Sequence, residues 1–399
     1  MNETKYKHTE LGPIPEHWEL RQWQYLLQEN VTTNTDCKET HQLQFKYGDI
    51  VSKANQEVDA DTLKIISKYT KVQPNDIMIN GLNLNYDFIS QRIGMVRTNG
   101  IITSAYISLR PTEEANPSYY NYLLKAMDAQ KMFHGMGTGV RLTLSYKELK
   151  NKYLPFPPLD EQEAMVAYLD EQTGKIDAAI EREQKMIDLL NERKQIIIQQ
   201  AVTKGLNPNV PMKDSGIDWI GEIPQSWKSI RLKYCMKIRN GQDYKHCVAD
   251  FGYPVYGSGG QFAYASQYMY DGEVVFFGRK GTIDKPLYYK GKFWAVDTMF
   301  YVIPKKNIIG RFLYYAGRTI PFKYYSTSTA LPSMTQTDLG NNPIALPPIE
   351  EQQNIVSYLD GKMGNIDRAI EAREKLISLL RERKQIIVNE VVTGKIKVS

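Results

Sequence analysis

The sequence is poor in the features that mark secreted and membrane proteins. Its three cysteines are odd in number and lie far apart, which argues against a disulfide framework and favours a reducing compartment. No apolar run approaches the ~20 residues that a membrane helix needs. The first residues also lack the charged-then-apolar pattern of a secretory signal. We therefore expect a cytoplasmic protein without a membrane anchor.

Sequence motifs that carry catalysis are also missing. There is no G-x-x-x-x-G-K-[ST] phosphate loop, no Asn-Pro-Pro-aromatic motif of DNA amino-methyltransferases, and no convincing D…ExK nuclease spacing. The histidines, including the one in His246-Cys247, show no metal-ligand spacing. We expect neither catalytic residues nor a metal site in this chain.

Positive charge is concentrated in one segment. Residues 211–345 contain 17 Lys and Arg against 10 Asp and Glu, together with 14 of the 27 tyrosines. Residues 1–154 are nearly neutral, with 18 basic against 17 acidic side chains. The basic segment indicates either a polyanionic partner or a solvated basic surface, and charge alone leaves both open.

The chain contains an internal repeat. Residues 157–203 recur at 347–393 with a constant offset of 190, and the run ERKQII is identical in both copies. A shorter echo, GPIPEHW and GEIPQSW, precedes each globular part at an offset of 209. The repeat predicts a globular domain and a helical region, each present twice, with the boundaries 1–154, 155–207, 208–345 and 346–399.

The repeated segment has the pattern of a long amphipathic helix. Apolar residues recur at near-heptad spacing in both copies, at Ile176, Ile180, Ile187, Leu190, Ile197 and Ala201, and at Ile366, Ile370, Ile377, Leu380, Ile387 and Val391. Gly174 and Gly364 leave room for a kink or break. Two such seams most simply bury each other, in parallel or antiparallel orientation. Two separate helices, each packed on its own domain, are the alternative.

The globular parts have the patterns of mixed α+β domains. The stretch GEVVFFGRKGTIDKPLYYKGKFWAVDTMFYVIP predicts strands joined by turns. In the first domain, Asn99-Gly100 predicts a hairpin turn between two apolar runs. Each set of strands is followed by a predicted helix, in NPSYYNYLLKAMDAQKMF and in RFLYYAGR.

Several motifs together resemble one known family. They are PPLDEQ and PPIEEQ, AYLD and SYLD, the helix through ERKQII, the VT with a nearby Gly, and the segments GEIPQSWK, VYGSGG, FFGRKGTI and TSTALPSMTQTDLGNNPIALPP. In these motifs the chain is similar to the specificity subunits of type I restriction–modification systems, and the resemblance covers nearly the whole sequence.

The resemblance implies an architecture and a division of labour. Two mixed α/β target recognition domains would each be followed by a long helix, and the helices would pair as an antiparallel coiled coil with a pseudo-two-fold arrangement. Each domain would read one half of a split double-stranded DNA sequence. The helices would dock two methyltransferase subunits, and motor–nuclease subunits would complete the complex. S-adenosylmethionine, ATP and magnesium would be bound by those partners and not by this chain.

Candidate DNA contacts lie in loops that carry basic, amide or hydroxyl groups beside glycines, because such loops reach base edges and phosphates. In the second domain they are Arg279, Lys280 and Thr282 in GRKGTI, then Tyr256, Ser258 and Gln261 in VYGSGGQF, then Ser326, Thr327 and Ser328. In the first domain they are Asn80, Asn83, Asn85 and Arg92 in INGLNLNYDFISQR, with Thr138 and Arg141 after the glycines. The alternative is that these residues only shape turns and pair with surface acids.

The first domain departs from the family pattern, because INGLN stands where a GRKGT-like loop is expected. The leading hypothesis is a DNA-reading specificity subunit without chemistry of its own. A coiled-coil scaffold with no nucleic-acid role, and part of a single-chain nuclease or methyltransferase, are the competing hypotheses.

Overall fold

A computed structural model describes residues 5–54, 59–84, 91–139, 142–322 and 332–398. The chain divides into two compact units, one formed by Met1–Arg182 with Lys375–Ser399 and the other by Glu183–Glu374. We call them unit 1 and unit 2. Each unit therefore contains one globular part and a portion of both long helices.

The globular part of unit 1 is built from short strands and helices. They are β1 (Tyr6–Thr9), β2 (Gly12–Pro15), β3 (Glu19–Gln22), α1 (Trp23–Leu26), β4 (Leu27–Glu29), β5 (Leu43–Lys46), β6 (Asp49–Ser52), α2 (Ala60–Ile66), β7 (Thr70–Val72), β8 (Ile77–Ile79), β9 (Ile93–Met95), β10 (Gly100–Ile102), β11 (Ile107–Pro111), α3 (Pro117–Ala129), α4 (Tyr146–Leu149) and β12 (Tyr153–Phe156). An antiparallel sheet of order β4-β11-β8-β9 lies at its centre, and β1-β2, β5-β6, β7-β10 and β3-β12 form two-stranded pairs.

The expected hairpin at Asn99-Gly100 is wrong. β9 pairs with β8, whereas β10 pairs with β7, so the runs on either side of the dipeptide belong to different sheets. Gly100 meets a different need. A Cβ there would lie 2.7 Å from the carbonyl oxygen of His41, and the amide of Ile101 donates to that same oxygen at 2.9 Å.

The repeat folds as two long helices, α5 (Leu159–Lys204) and α9 (Ile349–Val392). Both lie inside the predicted helical regions. Helix α5 continues through Gly174 and α9 through Gly364, so neither glycine breaks its helix. Gly205 and Gly394, with φ of 77° and 69°, follow their last turns in the left-handed conformation that ends a helix.

The globular part of unit 2 contains a larger sheet. Its elements are β13 (Met212–Asp214), β14 (Glu222–Pro224), β15 (Lys228–Arg231), α6 (Leu232–Cys235), β16 (Met236–Asn240), β17 (Val248–Ala249), β18 (Tyr253–Gly257), β19 (Gly260–Ala265), β20 (Tyr270–Gly278), β21 (Leu287–Ala295), β22 (Met299–Pro304), α7 (Gly310–Gly317), α8 (Gln336–Asn341) and β23 (Pro343–Leu346). In the described residues the sheet has the order β16-β22-β20-β21-β18-β19-β17, and only the β18–β21 pair is parallel. The α+β class is confirmed.

Each unit buries portions of both helices in its core. In unit 1, Met165 and Leu169 of α5 join Val388, Val391 and Val392 of α9 around Trp18, Trp23, Tyr119 and Tyr120. In unit 2, Ile198, Ala201 and Val202 of α5 join Ile355, Leu359 and Met363 of α9 around Trp227, Phe277 and Phe312. The helices therefore pack on both domains, and neither helix belongs to a single domain.

The helices pair antiparallel within each unit. In unit 2, Glu183 contacts Arg373 and Lys194 contacts Asp367. The residue number of the α9 partner therefore falls as that of the α5 residue rises. In unit 1, Asp177 binds Lys384 at 2.7 Å, while residues earlier in α5 share a core with residues later in α9. The Asp177–Lys384 pair is the counterpart, at offset 190, of Asp367–Lys194.

The predicted apolar seam faces inward in this pairing. Three of its members, Ile176, Ile187 and Ile377, are between 5% and 8% exposed. The others in the two predicted sets are half-buried or buried: Ile180, Leu190, Ile197, Ala201, Ile366, Ile370, Leu380, Ile387 and Val391. Ile197, Ala201 and Ile366 pack in the core of unit 2, and Ile387 and Val391 pack in that of unit 1. These five belong to the domain cores and not to a mutual core of the two helices.

Candidate nucleic-acid interface

Each recognition domain is joined to its helices by a tryptophan. The indole nitrogen of Trp18 donates to Glu161 at 2.8 Å, and that of Trp227 donates to Glu351 at 2.7 Å. Each ring also packs against the glycine that ends the other helix, since a Cβ at Gly394 would lie 2.8 Å from Trp18, and one at Gly205 would lie 3.2 Å from Trp227. One side chain thus fixes two helix ends to its domain.

A buried glutamine completes each junction. Gln352, 1% exposed, accepts from the amide of Ile309 at 2.9 Å and donates to the carbonyls of Pro347 and Asn307. Gln162, fully buried, repeats these three contacts with Asn116, Pro157 and Glu114 in unit 1. The Gln of PPLDEQ and PPIEEQ is therefore a structural residue that holds a loop against the helix start.

The aspartate of AYLD and SYLD holds the adjacent domain helix. Tyr122 of α3 donates to Asp170 at 2.7 Å, and burial raises the pKa of the Tyr122 phenol to about 12. In unit 2, Asp360 accepts from Tyr315 at 2.5 Å and from Arg311 at 2.9 Å. Burial raises the pKa of Tyr315 as well, so both phenols stay protonated donors at neutral pH.

Backbone hydrogen bonds fix a loop at the end of β20 in unit 2. The carbonyl of Arg279 accepts from the amide of Met334, and the amide of Gly281 donates to Pro332 at 3.0 Å. Gly281 has a φ of 84°, and a Cβ at Gly278 would lie 2.1 Å from the carbonyl oxygen of Thr282. The glycines thus allow a tight loop that no other residue would fit.

The loop presents cations beside a hairpin. Lys280 is exposed, Arg279 and Thr282 are half-exposed, and the Arg279 guanidinium lies 3.4 Å from the carbonyl of Asp297. The β18–β19 turn adjoins it, because a Cβ at Gly281 would lie 3.2 Å from Ser258 Oγ. The structure therefore brings two of the sequence-predicted segments together.

The remaining candidates of that hairpin differ in exposure. Gln261 is exposed on β19. The ring of Tyr256 stacks on Phe276 at a centroid distance of 4.7 Å, and burial raises the pKa of its phenol. Tyr256 therefore packs against the aromatic core of the sheet, and its contact with DNA stays a prediction.

Unit 1 has a corresponding loop at the end of β8. The carbonyl of Gly81 accepts from the amide of Leu144 at 2.9 Å, and the amide of Leu84 donates to Leu142. Thr138, on the same turn, exchanges backbone hydrogen bonds with Thr143. Asn80, Asn83 and Thr138 thus belong to one cluster.

Arg92 organises this loop from beneath. It is 7% exposed, and its guanidinium donates to the carbonyls of Asn80 and Leu82 at 2.8 and 2.7 Å and to that of Asn83 at 3.1 Å. In the structure its role is to shape the loop, whereas the amides of Asn80 and Asn83 remain the predicted contacts.

The two loops are held at equivalent positions in the two units. Leu144 and Met334, whose backbone amides bind these loops, are 190 residues apart, which is the offset of the helical repeat, and each is followed by a capping box, at Ser145 and at Thr335. Two residues beyond Gly81 and Arg279 stand Asn83 and Gly281, both with positive φ. INGLN therefore takes the place of the GRKGT loop in unit 1. Asn85, Arg141, Ser326, Thr327 and Ser328 lie outside the described residues.

The helices also expose apolar side chains away from the seam. They recur at offset 190, as Met186, Leu189 and Ile196 on α5, between 40% and 57% exposed, and as Leu376, Leu379 and Ile386 on α9, between 42% and 52% exposed. We call these sets the helix stripes. The sequence analysis expected the helices to dock methyltransferase subunits, but did not name these residues.

Sequence analysis missed the structural roles of Trp18, Trp227, Gln162 and Gln352. Their signal was their presence in both copies of the repeat. Among the described residues no helix has the length and apolar content that crossing a bilayer requires, and no three His, Cys, Asp or Glu side chains are grouped so as to hold a metal ion.

Two domains that carry different loops on one frame, joined by paired helices, define a class of duplicated two-site recognition proteins. The family described as type I restriction modification DNA specificity domain matches residues 88–188 and 224–380. The chain belongs to this family of type I restriction–modification specificity subunits.

Individual relatives agree with this assignment. A Methanocaldococcus jannaschii protein that carries the name type I restriction enzyme MjaX specificity subunit is 25% identical in an alignment of 432 positions. The alignment covers 99% of this chain and 97% of that protein. The MjaVIII specificity subunit of the same organism is 26% identical over 84% of this chain and 82% of its own. A chain from a solved structure on complex assembly and conformational transition of the type I R-M system shares the fold, with a TM-score of 0.71, 15% identity, and coverage of 96% and 99%.

Proposed function

We propose that this chain reads a split DNA sequence for a type I restriction–modification complex, with one recognition domain on each half. One observation carries the proposal. In each unit a backbone amide, that of Leu144 or of Met334, donates a hydrogen bond to the candidate loop at the same position. The two loops nevertheless carry different side chains. A common frame with different contacts suits two different half-sites at a fixed separation.

The side chains suit different kinds of contact. Arg279 and Lys280 offer charged donors for phosphates or for the O6 and N7 atoms of guanine. Asn80 and Asn83 offer amides, which pair with adenine through its N6 and N7 atoms. The basic excess of residues 211–345 supports a larger share of phosphate contacts for the second domain.

The helix stripes support the assignment of protein partners. Exposed Leu, Ile and Met at matching positions of a repeat suit two copies of one partner, because each stripe presents nearly the same surface. We assign them to two methyltransferase subunits, and motor–nuclease subunits complete the assembly on double-stranded DNA.

The chemistry then belongs to the partners. The methyltransferase subunits would bind S-adenosylmethionine and methylate adenine N6, and the motor–nuclease subunits would bind ATP and magnesium. The chain itself would bind no cofactor and would act in the cytoplasm.

Co-expression with a matching methyltransferase subunit, followed by mapping of methylated adenines in the host genome, tests the proposal. We expect a motif in two parts separated by a fixed gap. Methylation at a single continuous site would contradict the two-reader assignment, and methylation by the purified chain alone would show an enzyme. Failure to bind any duplex, even with the partner present, would favour a scaffold.

A further inference from the structure

The β5–β6 hairpin of unit 1 carries a tyrosine in a conformation that tyrosine rarely adopts. Lys46 pairs with Asp49, which leaves Tyr47 and Gly48 as a two-residue turn with φ of 52° and 82°. Two positive φ values mark the type I′ turn, for which Asn-Gly is the preferred sequence. A bulky residue at positive φ is an outlier, so this tyrosine is held at a conformational cost.

Packing inside the domain does not explain that choice. The side chain of Tyr47 is 75% exposed, among the highest values for a large apolar residue in the described part of the chain. An asparagine would fit the backbone better and would give up little buried surface. The ring is therefore available for a contact outside unit 1.

The hairpin tip adjoins the candidate recognition loop. A Cβ at Gly48 would lie 3.7 Å from both Gln91 Cβ and the carbonyl oxygen of Ile93. The residue between them, Arg92, holds the carbonyls of Asn80 and Asn83. The β5–β6 turn thus lies next to the start of β9, and the start of β9 lies next to the candidate recognition loop after β8.

Two residues at the candidate recognition loop also have strained backbone, Asn83 and Leu142, with φ of 51° and 42°. Four other non-glycine residues with positive φ in the described chain lie elsewhere. Leu142 accepts the backbone hydrogen bond of Leu84, so it supports the same loop. Strained residues cluster at functional sites, where the surrounding structure holds them. The near-neutral charge of residues 1–154 also means that this domain needs contacts other than cations.

We propose that the β5–β6 hairpin enters the major groove of the first half-site as a two-stranded ribbon and that Tyr47 at its tip contacts a base. The major groove of duplex DNA accepts a β-ribbon, and an aromatic ring can pack there on a thymine methyl. This proposal rests on the proposed function and deepens it, because it names a specificity contact of the first domain.

The test uses the full chain in complex with its methyltransferase partner. Tyr47→Asn and Tyr47→Gly both remove the ring and both suit a turn with positive φ, so their unfolding midpoints should equal or exceed that of the parent. We expect binding to the cognate duplex to weaken by about tenfold or more. Selection from a randomised duplex library should lose preference in one half of the motif only. Tyr47→Phe should keep both affinity and preference.

Tyr25→Asn is the matched control, because Tyr25 is 64% exposed on the same domain but lies on α1, which packs against β3 and β4. It should bind like the parent. Parent-like affinity and preference in either folded turn variant would overturn the Tyr47 assignment while leaving the two-reader function intact. Absence of sequence preference in the parent complex would overturn the proposed function itself.

Discussion

Replacing Gln352 by alanine should destabilise unit 2 through three backbone groups that lose their partner. The side-chain amide of Gln352 satisfies the amide of Ile309 and the carbonyls of Pro347 and Asn307, at 2.9 to 3.2 Å, in a place that is 1% exposed. Alanine cannot reach any of these atoms. The loop before α7 would therefore lose its connection to the start of α9.

The size of the effect follows from burial. Each buried polar group left without a partner costs about 1–3 kcal/mol, and water entering the vacated space recovers part of that. We expect a loss of about 2–5 kcal/mol in the free energy of unfolding, which lowers the midpoint of a unit of this size by roughly 5–15 °C.

Thermal unfolding of the full chain, combined with hydrogen exchange, measures the loss and locates it. The amide of Ile309 should exchange faster in the variant, because its hydrogen bond is gone. Gln353→Ala is the matched control: the neighbouring side chain is exposed, and its backbone carbonyl, which Ser357 uses, is unchanged. A Gln352→Ala variant within ~1 kcal/mol of Gln353→Ala would refute the reasoning.

Two further predictions concern binding. Arg279→Ala combined with Lys280→Ala should make the slope of log affinity against log salt shallower by up to about 1.8, since each phosphate contact contributes about 0.9; an unchanged slope in a DNA titration series would remove both residues from the phosphate contacts. Leu189→Lys should leave the unfolding midpoint within the small range of surface substitutions, because Leu189 is 57% exposed, but should release one of two methyltransferase subunits in native mass spectrometry. Leu379→Lys should release the other, and Gln195→Lys, an exposed position on a different face of α5 from the stripe, should release neither.

The long helices could be predicted from the sequence because their signal is repeated. The apolar residues of each seam, 176–201 and 366–391, recur with a helical period. The same period in two copies at offset 190 would rarely arise by chance. The place of INGLN was also indicated by the sequence, but the offset between the two copies falls from 209 before these loops to 190 after them, so spacing alone does not align INGLN with GRKGTI. The antiparallel orientation was not derivable from spacing, because a whole domain separates the helices and permits both directions.

Local signals misled where tertiary contacts decide the outcome. Asn99-Gly100 is a strong hairpin dipeptide, but the strands beside it find partners in β8 and β7 instead. Arg92 has the residue type of a DNA contact, yet three carbonyls of its own domain hold its guanidinium. The strain at Tyr47 has no sequence signal at all, because it depends on the register of β5 with β6.

Exchanging the second recognition domain, residues 208–345, for that of another family member tests the central claim most directly. Trp227 lies inside the exchanged segment, so the donor domain must have a tryptophan at the equivalent position to donate to the retained Glu351. Methylated adenines are then mapped in a host that expresses the chimera with the methyltransferase partner. The account predicts that one half of the split motif changes while the other half and the gap stay the same. A change in both halves, or in neither, would contradict it.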